Sequence, residues 1–342
     1  METGRKRLLI IRFSALGDVA MLVPLLRHVA ERYPEWDFTM LSRQQYAPLF
    51  NNMPTNVNFY GADLKGKHHR LYGLHALLKE IDYHSYDAVA DMHDVLRTQY
   101  LRTRMFLAGK RCAHVFKARV QRWLLVRHHY RHKQPLVPMM EHYRAVFTEL
   151  GFYTDSQFTI YKSQFISNNE AVEQVRSNIG VAPFAAHKGK IYPTERMETV
   201  VAALGKKMAS RGEKVYLFGG GDKEKDILNS WEQKYEGVQS LAGKNRMDEE
   251  IEIMRTLRLM LTMDSANMHM ASLAGTRVLS VWGATHPWAG FLGFGQKESD
   301  CIQRDLPCRP CSIYGNRYCV YRDYRCLDIA PETIIERVEK AL

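Results

Sequence analysis

The chain has 342 residues, 46 % of them apolar, and a net charge of +11. That length suits roughly two domains of about 170 residues, and the apolar content supports ordinary buried cores. No run of about 18 apolar residues occurs, so no membrane-spanning helix is expected.

The start, METGRKR, leads directly into apolar sequence with no long apolar stretch or small-residue cleavage site, so no signal peptide is expected. Arg7 to Phe13 is nearly all apolar and β-prone, the pattern of a strand buried on both faces of a parallel sheet. Ser14-Ala15-Leu16-Gly17-Asp18 follows as a tight loop, then a helical run from Val19 to Tyr33. Ligands in open α/β sheets bind at such carboxyl-end loops. Asp18 stands where loop becomes helix, a position that suits a helix cap as well as a functional carboxylate.

Further strands are expected at Asp37–Leu41, Val57–Tyr60, Tyr86–Asp91 and Arg111–Phe116, with helical patterns at 46–51, 71–81, 95–107 and 140–150. The polar stretch from Asp155 to Asn169 reads as a linker, giving domains 1–160 and 161–342. A second alternating set then runs through strands Val181–Ala185, Lys214–Phe218, Val238–Leu241, Leu259–Met263 and Arg277–Trp282. Helices are expected between them, and a last one at Pro331–Ala341 with proline in its first turn. Such alternation implies an α/β fold with parallel strands and right-handed crossovers.

The charge is concentrated. From Val95 to Met140 there is no acidic residue but 11 of the 48 Lys and Arg, so the other 37 balance the 37 acidic residues. Arg97 and Arg122 lie in this segment, interleaved with Trp123, Leu124 and Val126. A basic, partly apolar face suits lipid headgroups, phosphorylated glycans or nucleic acid. His68-His69 and His128-His129-x-x-His132 have no acidic or thiol partner nearby in sequence and read poorly as metal sites.

Three loops of the second half are small and polar. They are 183–193 with Lys188 and Lys190, Gly219-Gly220-Gly221-Asp222, and Asp264-Ser265-Ala266-Asn267-Met268-His269. Small residues let a phosphate approach backbone N–H groups at a helix start. Neither GxGxxG after the first strand nor GxxxxGK[ST] is present, so the dinucleotide and P-loop fingerprints are missing.

The motifs together resemble the ADP-heptose–lipopolysaccharide heptosyltransferases, glycosyltransferase family 9. The resemblance is carried by Ile10–Val19, Lys190-Ile191-Tyr192-Pro193, Asp264–His269 and Gly283-Ala284-Thr285-His286-Pro287. The tail Cys308-Arg309-Pro310-Cys311, Cys319 and Cys326–Glu332 also looks like the family. It implies a GT-B architecture of two Rossmann-like domains across a cleft, and an inverting transfer of heptose from a nucleotide-sugar, ADP-heptose, to a lipopolysaccharide core acceptor. Asp18 is implied as general base, with Ser14 and Gly17 shaping its loop and Arg97 and Arg122 holding the anionic acceptor. An aspartate with an ordinary pKa of about 4 is already ionised at neutral pH. Lys190, Glu224, Asp264, Ser265, Ala266, Asn267 and His269 are implied at the donor, with no cofactor besides the nucleotide-sugar and no catalytic metal. The implied setting is cytoplasmic, peripheral to the membrane, with no nucleic-acid partner. Ala266, Ala284 and His286 depart from the family's Gly, Pro and Asp.

Cys308, Cys311, Cys319 and Cys326 suit a structural zinc or thiol cluster, reduced packing cysteines or disulfides. The competing functions are a basic zinc-containing nucleic-acid-binding protein and a non-catalytic glycolipid-binding relative.

Overall fold

The computed structural model describes residues 4–127, 132–154 and 176–342. The chain forms two compact units. One comprises Met1–Ala118 and Met139–Thr159, the other Arg119–Pro138 and Ile160–Leu342. The linker expected at 155–169, the 160/161 boundary and His128-His129 lie outside the described residues.

The first unit is a five-stranded parallel sheet. Its strands are β1 (Lys6–Ile11), β2 (Trp36–Arg43), β3 (Val57–Ala62), β4 (Ala88–Asp91) and β5 (Arg111–His114), in the order β3-β2-β1-β4-β5. Leu8 to Ile11 are fully buried, as their uninterrupted apolar run requires of a central strand. Truncating Leu9 to alanine would cost about 2–5 kcal/mol. The crossovers carry α1 (Leu16–Arg32), α2 (Arg70–Glu80) and α3 (Leu96–Leu107). The expected helix at 46–51 is instead a 3-10 helix, Gln44–Phe50, in which Pro48 removes a backbone donor.

The chain then enters α4 (Arg119–Leu125), unforeseen in the sequence, and returns through α5 (Met139–Glu149). The residues Arg119–Pro138, expected to belong with the first domain, group with the second unit.

The second unit holds six parallel strands. They are β6 (Ile179–Ala182), β7 (Val215–Leu217), β8 (Val238–Ser240), β9 (Leu259–Met263), β10 (Arg277–Trp282) and a short edge strand, β11 (Cys301–Gln303). Their order is β11-β10-β9-β6-β7-β8. Helices α6 (Thr194–Ala209), α7 (Asp222–Lys234), α8 (Met247–Thr256), α9 (Ala266–Leu273) and α10 (Pro331–Ala341) complete it. Val181, Leu261 and Val281 from the sheet pack with Val200, Leu204 and Val338 from α6 and α10 in one buried cluster.

Each sheet has one point where successive connections reverse direction. In the first unit it lies between β1 and β4, in the second between β6 and β9. The loops leaving these strands diverge there and open a crevice at the carboxyl edge.

Candidate active site

In the first unit the β1 loop brings Asp18 to the switch point as the third residue of α1. Its Oδ2 accepts the Ala15 backbone N–H at 3.2 Å and lies 2.7 Å from the Arg12 Nη2. Asp18 therefore caps its own helix, and a buried guanidinium orients it. Arg12 is 7 % exposed, donates to the Met92 carbonyl and lies 5.4 Å from the Tyr143 ring centroid.

From β4, fully buried Asp91 accepts the backbone N–H groups of His93 (3.0 Å) and Asp94 (2.8 Å) and pairs with Arg102 at 2.9 Å. This turn presents His93 to the β1 loop. The Phe13 N–H donates to His93 Nδ1 at 3.4 Å, which puts the ring proton on Nε2, 3.3 Å from Ser14 Oγ. Burial, reinforced by Arg12 and Lys117, pushes the His93 pKa down to about 3. The imidazole is therefore neutral at physiological pH. Ser14 accepts from it and keeps its own O–H proton for another acceptor.

Of the residues expected here, Asp18, Ser14 and buried Gly17 come together. Arg97 is exposed on the first turn of α3, outside this network. Arg122 is placed differently from expectation. It lies in the segment grouped with the second unit, where it donates to the Tyr314 hydroxyl at 3.1 Å and stacks on Phe291 at 4.9 Å. The sequence reading missed Arg12, His93 and Arg102. An Asp-x-His-Asp turn directly after a buried strand was the available signal.

In the second unit the switch-point loops after β6 and β9 meet through Lys190 and Asp264, 2.9 Å apart, with Asp264 4 % exposed. Ser265 is the N-cap of α9, and its hydroxyl bonds Thr262 Oγ1 at 3.2 Å instead of capping the helix. Ala266 and Asn267 form the first turn, and His269 is 8 % exposed one turn later. Glu224, on the first turn of α7, accepts the Gly220 N–H at 2.8 Å, and burial raises its pKa. These residues offer a cation and a helix start beside small loops, a combination that receives phosphate oxygens.

The Cys-rich tail braces this site. Buried Arg309 donates to the carbonyls of Gly283 (2.6 Å) and Thr285 (2.9 Å), and the Ala284 N–H donates to the Gly189 carbonyl at 2.8 Å. A Cβ on Gly189 would stand 2.8 Å from the Gly315 carbonyl oxygen, so only glycine fits. His286 accepts the Trp288 N–H at 3.1 Å through Nδ1, and burial with Arg309 nearby lowers its pKa to about 4. The ring is thus neutral at physiological pH.

All six cysteines are free thiols. Among the described residues no three His, Cys, Asp or Glu side chains are placed to hold a metal ion. His68 is a satisfied core residue, 3 % exposed, receiving the Asp63 N–H at 3.0 Å and contacting Glu80 at 3.1 Å.

A family model, glycosyltransferase family 9 (heptosyltransferase), matches residues 74–321. The chain belongs to glycosyltransferase family 9. It is 24 % identical over 299 residues to lipopolysaccharide heptosyltransferase 3 of Escherichia coli K12, covering 80 % of this chain and 82 % of that one. The fold is shared with the family 9 glycosyl transferase of Veillonella parvula (TM-score 0.71, 20 % identity, 100 % and 98 % covered). It is shared also with E. coli heptosyltransferase WaaC with ADP (TM-score 0.68, 16 % identity, 98 % and 100 % covered). The two parallel-sheet α/β domains expected of a GT-B glycosyltransferase are both present. As a family 9 glycosyltransferase, the chain is an enzyme, and the nucleic-acid-binding alternative is set aside. Part of the basic segment is in any case used internally, since Lys133 Nζ donates to the Arg309 carbonyl at 3.1 Å.

Proposed function

We propose that this glycosyltransferase moves a heptose from ADP-heptose onto a lipopolysaccharide core sugar with inversion, and that Asp18 is its general base. The observation that carries the reading is the position of Asp18, fixed by Arg12 and the Ala15 N–H at the first unit's switch point. The carboxylate takes the proton of the acceptor hydroxyl, that oxygen attacks the anomeric carbon, and the bond to the diphosphate breaks as ADP leaves. The Ser14 hydroxyl, held as an acceptor by His93, donates its proton to an acceptor-sugar oxygen. Lys190 and the start of α9 take the charge that develops on the diphosphate. Asp264 holds Lys190 until the donor arrives. Glu224, Ser265, Ala266, Asn267 and His269 line the nucleotide-sugar side, and Arg97 meets the anionic acceptor. Two relatives support the substrates: the E. coli lipopolysaccharide heptosyltransferase 3 and the WaaC structure with ADP.

We place the enzyme at the cytoplasmic face of the membrane by peripheral contact. No described helix is long and apolar enough to cross a membrane. Leu96 is 86 % exposed beside Arg97, and Phe106 and Leu107 are exposed beside Arg104, which suits an anionic lipid surface. A transfer assay with ADP-heptose and a heptose-deficient core acceptor tests the reading. Transfer of heptose supports it. ADP binding without transfer would favour the non-catalytic glycolipid-binding alternative.

A further inference from the structure

A cavity of about 760 Å³ opens in the second unit between the residues that lead into α6 and the segment Arg322–Asp328. Neither Lys190 nor Asp264 lines it. Its charged lining consists of Lys188, Arg196, Arg322, Arg325, Asp323 and Asp328. Both acidic groups are already neutralised, Asp328 by Arg196 at 2.7 Å and Asp323 by Arg325 at 2.8 Å. Lys188 and Arg322 have no ion-pair partner among the described residues, and both are exposed to the cavity's solvent. Lys188 Nζ stands 5.5 Å from the Tyr324 ring centroid. Most of the remaining wall is apolar or aromatic, from Ile191, Tyr192, Pro193, Leu327 and the Tyr324 ring. Pro193 and Thr194, at the start of the 16-residue α6, add the positive end of a helix.

We propose that this cavity binds a phosphorylated saccharide. Two cations without counter-ions in one cavity select an anion, and a guanidinium and an ammonium can between them donate to the several oxygens of a phosphate monoester. An inorganic phosphate would leave most of the volume empty. Cavities of about 300–1,000 Å³ hold ligands of small-molecule size, and the Tyr324, Ile191 and Leu327 walls match the apolar C–H faces of a pyranose ring. The site is separate from the Asp18 chemistry and stands or falls without it. A free sugar phosphate and a phosphate-bearing sugar of a glycolipid share this chemistry.

Titration calorimetry on the full chain tests the site with glucose 6-phosphate, a phosphorylated core oligosaccharide freed of lipid, glucose and inorganic phosphate. The proposal expects one of the two phosphorylated sugars to bind, the tighter one naming the source, while glucose gives no heat. Arg322→Ala and Lys188→Ala each weaken that binding at least roughly tenfold, as loss of a charged hydrogen bond does. Both side chains are exposed, so the melting temperature of each variant, measured alongside, stays at the parent value. Binding of neither phosphorylated sugar, undiminished binding by both variants, or phosphate binding as tightly as glucose 6-phosphate would overturn the proposal.

Discussion

Arg12 Nη2 and Asp18 Oδ2 lie 2.7 Å apart across the loop that joins the first strand to the first helix. The two residues come from opposite ends of that loop, so the pair closes it and sets the direction of the carboxylate. Arg12 is more than a counter-ion, because it also donates to the Met92 carbonyl at the end of β4.

Arg12→Ala should therefore damage folding as well as transfer. It strips a buried carbonyl and a half-buried carboxylate of a shared donor, and breaking such a pair costs about 3 kcal/mol. Urea unfolding of the variant should show that loss, while Asp18→Asn, which keeps an oxygen toward Arg12, should lose less. Equal stability of the two variants would contradict the clasp.

His93 sets a pH dependence. Its folded pKa of about 3 lies below the ordinary value of 6.5, so the unfolded chain binds the proton more readily. Its contribution to stability is complete above pH 6.5 and is lost as the pH falls from there toward 3. His286, lowered to about 4, acts in the same direction over a narrower range. Denaturation midpoints measured from pH 7.5 to 4.5 should fall, and His93→Gln should flatten the fall. An unchanged slope in that variant would remove His93 as its source.

The two glycine loops of the second unit should respond oppositely to a methyl group. Gly189→Ala places Cβ 2.8 Å from the Gly315 carbonyl oxygen and 2.9 Å from Ala284 Cβ. Such overpacking costs about 1–3 kcal/mol and shifts the Lys190 loop. A Cβ on Gly220 meets nothing within 4 Å, so Gly220→Ala should be silent. Melting temperatures and ADP titrations of both variants compare them directly.

Lys190→Met should weaken ADP binding at least about tenfold, since it removes a charge-assisted bond to the diphosphate. It also strands the buried Asp264 carboxylate, which Asp264→Asn in the same chain should relieve. If the double variant is no more stable than Lys190→Met alone, the pair does not hold the loop.

Much of the scaffold could be read from the residues. Leu259–Met263 and Arg277–Trp282 form strands with the expected bounds because mostly apolar, β-prone runs, broken only by the small hydroxyls of Thr262 and Ser280, are best buried on both faces of a central strand. α4 went unseen because, although Val120, Trp123 and Leu124 fall at helical spacing, seven residues make only two turns, too short a window for the period to stand out from the basic run around it. β11 has three residues on a sheet edge and carries almost no local signal. The loops that carry Lys190 and Asp264, and the turn that carries Asp18, stood out in the sequence because each is contained in a few consecutive residues. Arg12 and His93 were not picked out, because the contacts that tie β1 to β4, Arg12 to the Met92 carbonyl and the Phe13 N–H to His93, span 80 positions, and the local turn around His93 does not by itself show what it meets. Arg122 was misplaced for a related reason. Its charge marked it as part of a basic segment, while its contacts are with Phe291 and Tyr314, far along the chain in the second unit.

The central claim is that Asp18 removes the acceptor proton. The most direct measurement is the turnover number of Asp18→Asn with ADP-heptose and a heptose-deficient core acceptor, with ADP affinity measured on the same sample. The account predicts a fall in turnover of about 10²–10⁴, the range of a lost general base, with ADP affinity close to that of the parent and a melting temperature lowered less than in Arg12→Ala. Near-parent turnover in a folded, ADP-binding variant would contradict it.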